Sequence, residues 1–227
     1  MVSFFLWSCL ILLRKFLFLP PRYDAHLMRS CAIWVMWSLE LTIRIENLDL
    51  YDPKEPAVVI ANHSSLIDIP LIYMTCSPNL RMLAKREMFW IPLMGWALWA
   101  AKHVAIHRGH KNSATRAKST LTERLSEGFQ IFLAPEGTRS ATGCLLRFKS
   151  GAFRIAAEQR VPIYVLALYK PWEVLPKGDL YSKYKGEQVS RFLGKINPII
   201  DEYSVKSTDE LIQEARKLYI NNGFVEC

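Results

Sequence analysis

A histidine stands five residues before an aspartate in Asn62-His63-Ser64-Ser65-Leu66-Ile67-Asp68. An imidazole beside a carboxylate is a good general base near neutral pH. The carboxylate fixes the ring tautomer and stabilises the imidazolium formed when a proton is taken. On a regular helix, however, residues five apart point roughly 140° away from each other. The pairing therefore requires His63 to lie in a turn before a helix and Asp68 in that helix's early turns. A second stretch, Ala134-Pro135-Glu136-Gly137-Thr138-Arg139-Ser140, suits an anion. Its glycine and hydroxyl residues free backbone N–H groups, and Arg139 offers a planar fork of donors matched to a phosphate. Each stretch alone also has a plain structural reading, a surface histidine or a turn with a surface arginine.

Both stretches follow short apolar runs that read as buried strands. Ala57 to Ala61 is continuously apolar, as in a strand covered on both faces, and Gln130 to Leu133 ends before Pro135. Ligands in α/β proteins bind beyond the carboxyl ends of such strands. Other elements follow the same alternation. Leu41 to Glu46 alternates like a half-buried strand, Ser64 to Thr75 is helical in composition with a break demanded near Pro70, and Arg81 to Ala84 is a short strand. Asn112 to Glu127 is an amphipathic helix with Ala114, Ala117, Leu121 and Leu125 on one face and Gly128 as its stop. Ser150 to Gln159 reads as a helix and Val161 to Leu168 as another buried strand, while Arg191 to Ile200 is indecisive. A capping box, Ser207 with Glu210, opens the last helix, which buries Leu211, Ala215 and Leu218. The fold class is therefore α/β, a single domain with a mostly buried mixed sheet flanked by helices.

The 227 residues suffice for one sizeable core. A net charge of +8 favours an anionic partner, whether nucleic acid, acidic lipid or a phosphorylated substrate. The N-terminus decides for lipid. Ser3 to Leu19 is apolar except for Arg14 and Lys15, with an uncharged start and Pro20-Pro21 where a signal peptide would need a basic start and a small-residue cleavage site. A full span needs about 20 apolar residues, and a central Arg or Lys costs about 2.5–3.5 kcal/mol on insertion. With a second run, Ser30 to Leu39, the pattern is a membrane-interfacial two-helix hairpin over 1–40, preceding an α/β domain over 41–227. Met88 to Ala101, with Trp90, Trp96 and Trp99, is a core helix or a second membrane contact. The five cysteines are scattered and form no C-x-x-C pair, so isolated thiols in a reducing compartment are expected.

Taken together and in this order, NHSSLID and EGTRS strongly resemble the glycerophospholipid acyltransferases typified by 1-acylglycerol-3-phosphate acyltransferase. The resemblance runs from about Ala57 to Leu168. Lys102 to Arg108 (KHVAIHR) resembles the family's second block, Val161-Pro162-Ile163 its fourth, and Phe148-Lys149-Ser150-Gly151 the stretch that follows EGTRS. Departures are Lys102 for a glycine, His107 for an acidic residue and Val165 for a further proline.

The resemblance implies that His63 and Asp68 are catalytic, the histidine activating the acceptor hydroxyl without an acyl-enzyme. It assigns Lys85 and Arg139 to the acceptor phosphate and Arg108, Glu136, Gly137 and Thr138 to the same pocket. It implies no metal and no bound cofactor. The partners are a lysophospholipid acceptor, an acyl-CoA or acyl carrier protein donor and membrane lipids, with no nucleic acid. The location is a membrane surface with the active site on the cytoplasmic side, of a bacterial inner membrane or the endoplasmic reticulum. Rival readings are another acceptor, such as glycerol-3-phosphate, another lysophospholipid or a lyso-aminolipid, and a non-catalytic membrane-binding module. Backbone amides near the His63 turn are expected to face the oxyanion.

Overall fold

Alternation of side chains along short apolar strands sends neighbouring residues to opposite faces, and in this chain both faces are covered. The computed structural model describes residues 22–92, 94–107, 109–179, 182 and 184–227. The strands are β1 (Leu41–Glu46), β2 (Val58–Ala61), β3 (Leu80–Lys85), β4 (Val104–Ile106), β5 (Gln130–Leu133), β6 (Ile163–Tyr169) and β7 (Gly186–Ile196). They form one sheet in the order β1-β7-β6-β2-β5-β3-β4. From β6 to β4 the strands are parallel, whereas β7 and β1 run the other way. The sheet is mixed, as expected.

The helices are α1 (Arg22–Ser38), α2 (Asp68–Thr75), α3 (Met94–Ala100), α4 (Lys111–Ser126), α5 (Gly151–Gln159), α6 (Pro171–Val174) and α7 (Thr208–Asn221). Val58, Ile60, Ile131, Leu133, Ile163 and Val165 meet Leu121, Phe153 and Leu211 from α4, α5 and α7 on one face. Ala57, Val59, Ala61, Tyr164 and Leu166 meet Met36, Leu71 and Ile72 from α1 and α2 on the other. Burying a Leu or Phe side chain stabilises by about 1.5–3 kcal/mol, so each face holds its helices firmly.

Four expectations are revised. The helix at Ser64 to Thr75 starts only at Asp68, which places Pro70 in the first turn, where its missing N–H breaks no intrahelical bond. In α4, Ala114 is exposed while Ala117, Leu121 and Leu125 are buried. The run from Met88 divides into a 3₁₀ turn (Arg86–Trp90) and α3, with Pro92 between them. Ala97 and Ala100 of α3 are buried, but Trp90, Trp96 and Trp99 are 68, 58 and 66% exposed. Finally, Cys144 and Cys227 are disulfide-bonded across 83 residues. Scattered spacing hid a pair that only the fold brings together, while Cys31 and Cys76 are buried thiols.

Of the N-terminal hairpin, residues 1–21 lie outside the described residues. The second run belongs to the longer helix α1, whose Ala32 and Met36 join the domain core while Ile33, Trp34 and Trp37 face outward. Among the described residues, no helix is long and apolar enough to cross a membrane.

Candidate active site

Because β2 and β5 are parallel neighbours, with Val58 opposite Ile131 and Ile60 opposite Leu133, the loops that leave them emerge side by side. Those loops carry the two motifs. Asn62 continues the line of β2 with its side chain, donating to Leu168 O at 2.9 Å and accepting from Leu168 N at 2.8 Å. The chain then turns through His63 and enters α2 at Asp68.

The spacing requirement is met. His63 lies in the turn and Asp68 is the first residue of α2, with His63 Nδ1 2.7 Å from Asp68 Oδ2. The same oxygen accepts Ser64 N–H at 2.7 Å and Ser65 N–H at 2.9 Å. Asp68 is fully buried, and its Oδ2 gathers these three donors at the N-terminus of α2. A nitrogen facing that carboxylate carries the proton, so hydrogen-bonding logic assigns the lone pair to Nε2. The ring remains 18% exposed. His63 is therefore oriented by one nitrogen and, among the described residues, open at the other.

Glu136 takes an inward role. It is buried, and its two oxygens accept His63 N–H at 2.8 Å and Leu146 N–H at 3.0 Å. Burial raises its pKa, opposed by those two N–H groups and by His63. Its carboxylate thus braces the backbone of the His63 turn. The amides of His63, Ser64 and Ser65 are committed to Glu136 and Asp68, so these three are not the ones left for an oxyanion.

The EGTRS loop is tied directly to the histidine, since Ser140 N–H donates to His63 O at 2.8 Å. Gly137 has φ +70°, and a Cβ there would lie 2.6 Å from Lys149 Nζ, so glycine allows both the turn and the lysine's approach. Thr138 is exposed. Arg139 is half-buried, and among the described residues its guanidinium is in no ion pair. Lys85, at the carboxyl end of β3, is three residues past Met82, which pairs with Phe132 of β5. That puts it on the same sheet edge as the two motif loops, with its ammonium 3.5 Å from Glu87. Arg108 lies outside the described residues.

Sequence reasoning missed two supports. Ser65 Oγ donates to Leu175 O at 2.7 Å, and Lys177 Nζ donates to Arg139 O at 2.9 Å, so the segment after β6 holds both loops. No local pattern signals either contact. Among the described residues, no group of three or more His, Cys, Asp or Glu side chains is placed to hold a metal ion.

Comparison with known proteins gives the family. The Acyltransferase family model matches residues 42–169. A 1-acyl-sn-glycerol-3-phosphate acyltransferase of Cocos nucifera is 36% identical over 83% of this chain and 60% of its own length. One from Chlamydomonas reinhardtii is 29% identical over 95% of this chain and 67% of its own. This chain thus spans roughly two thirds or less of the curated relatives it matches. The crystal structure of the 1-acyl-sn-glycerophosphate (LPA) acyltransferase PlsC from Thermotoga maritima shares the fold, with a TM-score of 0.81 over 97% of this chain and 89% of that one, at 23% identity. With its paired histidine and aspartate, its EGTRS loop and a family match across most of the sheet, the chain belongs to the acyltransferase family.

Proposed function

We propose that this protein transfers a fatty acyl group from a thioester carrier, acyl-CoA or acyl carrier protein, to the sn-2 hydroxyl of 1-acylglycerol-3-phosphate, giving phosphatidic acid. The observation that carries this reading is the pairing of His63 Nδ1 with Asp68 at 2.7 Å beside the loop that bears Arg139. Nε2 takes the proton of the acceptor hydroxyl as the oxygen attacks the thioester carbonyl. The carbon–sulfur bond then breaks, and the imidazolium returns the proton to the departing thiolate. Asp68 keeps the ring aligned and offsets its transient charge, an effect typically worth 10²–10⁴ in rate for a positioned base.

A phosphate monoester is favoured as the acceptor's handle because Arg139 has no carboxylate partner among the described residues and Lys85 lies on the same edge. A lipid surface is favoured as the location. Trp34 and Trp37 on α1 and Trp96 and Trp99 on α3 turn outward, and the Arg86 guanidinium sits over the Trp90 ring at 5.4 Å. Large aromatics flanked by cations suit the headgroup region. A site facing the bilayer would also keep out water, the competing acceptor.

The test gives purified protein a mixture of lysolipids with both carrier types and identifies products by mass spectrometry. Phosphatidic acid formed from 1-acylglycerol-3-phosphate is expected, and Arg139→Gln should raise the KM for that acceptor roughly tenfold or more. Equal transfer to lysophosphatidylcholine, or an Arg139→Gln defect in kcat alone, would overturn the assignment of the phosphate handle.

A further inference from the structure

Residues 224–227 end against the loop that follows EGTRS. Leu145 N–H donates to Val225 O at 2.8 Å and Cys227 N–H to Leu145 O at 3.2 Å, a one-residue parallel bridge between Leu145 and Glu226. Arg216 reaches from α7 to Leu146 O at 3.3 Å and pairs with Glu226. The covalent closure is the disulfide between Cys144 and Cys227, whose Cα atoms are 5.4 Å apart. Cys227 is exposed and Cys144 half-buried, so a solvent thiolate can reach the bond at the Cys227 end.

The loop fixed in this way also supports the histidine. Leu146 N–H holds one oxygen of Glu136, the other oxygen holds His63 N–H, and Ser140 N–H holds His63 O. The path from Cys144 to the imidazole therefore consists of two peptide links, one buried carboxylate and one turn. Phe224 is wedged against Tyr169 and Tyr219, with ring centroids 5.2 and 5.3 Å away, so the chain before Val225 is anchored independently. Beyond Phe224, Val225 is largely exposed, and among the described residues 225–227 are held, besides the sulfur–sulfur bond, by two backbone hydrogen bonds to Leu145 and one ion pair with Arg216. The ion pair, open to solvent on the Glu226 side, is individually weak.

We propose that Cys144–Cys227 is a thiol–disulfide site at which a dithiol reductant loosens the support of His63 and lowers the rate of acyl transfer. In the reaction the Cys144 Sγ–Cys227 Sγ bond breaks and two S–H groups form. The dithiol gives up two electrons and two protons and closes its own disulfide. A thiolate of the reductant attacks Cys227 first, forming a mixed disulfide that its second thiol resolves. Cys31 and Cys76 take no part. Both are buried, and burial raises both thiol pKa values, Cys31 to about 11.

The effect on rate rests on the acyl transfer proposed above, while the structural effect does not, and the experiment separates them. The 227-residue protein is prepared air-oxidised and after dithiothreitol. Each form is alkylated under native conditions and weighed, assayed for transfer, and followed by amide hydrogen exchange at His63, Leu145 and Leu146. Located by peptide mass, the label should be absent from Cys144 and Cys227 in the oxidised protein and present on both after reduction, whatever Cys9 takes up. Exchange at the three amides should rise on reduction, kcat/KM should fall roughly three- to tenfold, and reoxidation should restore both. Cys227→Ser should sit at the reduced level and ignore dithiothreitol. Label on Cys144 and Cys227 in oxidised protein would overturn the proposal, as would reduction that leaves the His63 amide or the rate unchanged. Absence of turnover in both forms counts against the acyl-transfer reading, and the exchange at His63 then decides the present one.

Discussion

Two histidines sit in apolar surroundings and are each held by polar groups, yet they are built for opposite purposes. His63 has one nitrogen on Asp68 and, among the described residues, one free, on a ring that is partly exposed. His103 is buried with both nitrogens occupied. Its Nδ1 accepts Met82 N–H at 3.0 Å, so its Nε2 bears the hydrogen and meets Tyr73 Oη at 2.8 Å. Burial, aided by the Arg81 charge, pushes the His103 pKa down to about 3 and keeps the ring neutral. His103 is a pin between β3 and α2. The difference is a single unclaimed lone pair: a histidine with none left can hold a structure together but cannot take a proton from a ligand.

Exchanging the two losses is the strongest way to break this comparison. His63→Ala should reduce transfer by about 10³-fold or more, with a melting temperature within a few degrees of the parent. His103→Ala should do the reverse. It leaves Met82 N–H and Tyr73 Oη without partners around a new cavity, a loss of about 3 kcal/mol, while kcat per folded molecule stays within about twofold. Denaturant unfolding and active-site-normalised rates measure both. If His103→Ala lost activity without losing stability, the division of labour would be wrong.

Glu136 tests whether the free lone pair depends on its supporting backbone. Glu136→Gln keeps the shape but replaces one acceptor oxygen with an N–H₂ group, which must face either His63 N–H or Leu146 N–H. Two donors then oppose each other at a buried site. The expected result is roughly a tenfold fall in kcat with the acceptor KM within about twofold, read from steady-state kinetics. A change in KM alone would return Glu136 to the ligand pocket where the sequence had placed it.

These cases mark what the sequence makes legible. The pairing of His63 with Asp68 could be stated as a geometric condition because five-residue spacing excludes a helix and leaves a strand-to-helix turn. The continuous run AVVIA announced a strand covered on both faces, and Ser207 with Glu210 announced the last helix, where the capping box forms. Illegible were relations made by sheet neighbours far apart in the chain. Nothing near Glu136 says that its oxygens meet the amides of His63 and Leu146, and nothing in the spacing of 144 and 227 says that they meet. Nor does the KHVAIHR run reveal that its first histidine is used up by Met82 and Tyr73. Alternation identifies a buried position, but not which partners will wait there.

The effect most specific to the environment of His103 concerns pH. An unfolded chain binds a proton on this histidine near its ordinary value of about 6.5, whereas the folded chain resists it until about pH 3. The folded-state pKa is depressed, so the stability associated with the neutral ring is fully present above about pH 6.5 and is lost as pH falls through the window down to about 3. The loss approaches 1.4 kcal/mol per pH unit for one proton. Carboxylates elsewhere titrate in the same range, and the informative quantity is therefore the difference between parent and His103→Gln, whose amide does not titrate. Above pH 7 that difference should be constant and favour the parent. Between about pH 6 and pH 4 it should shrink by up to about 1.4 kcal/mol per unit, as urea unfolding at each pH would reveal. Parallel curves would mean that His103 gains its proton as readily in the folded protein as in the unfolded one, and the contrast with His63 would then lose its electrostatic basis.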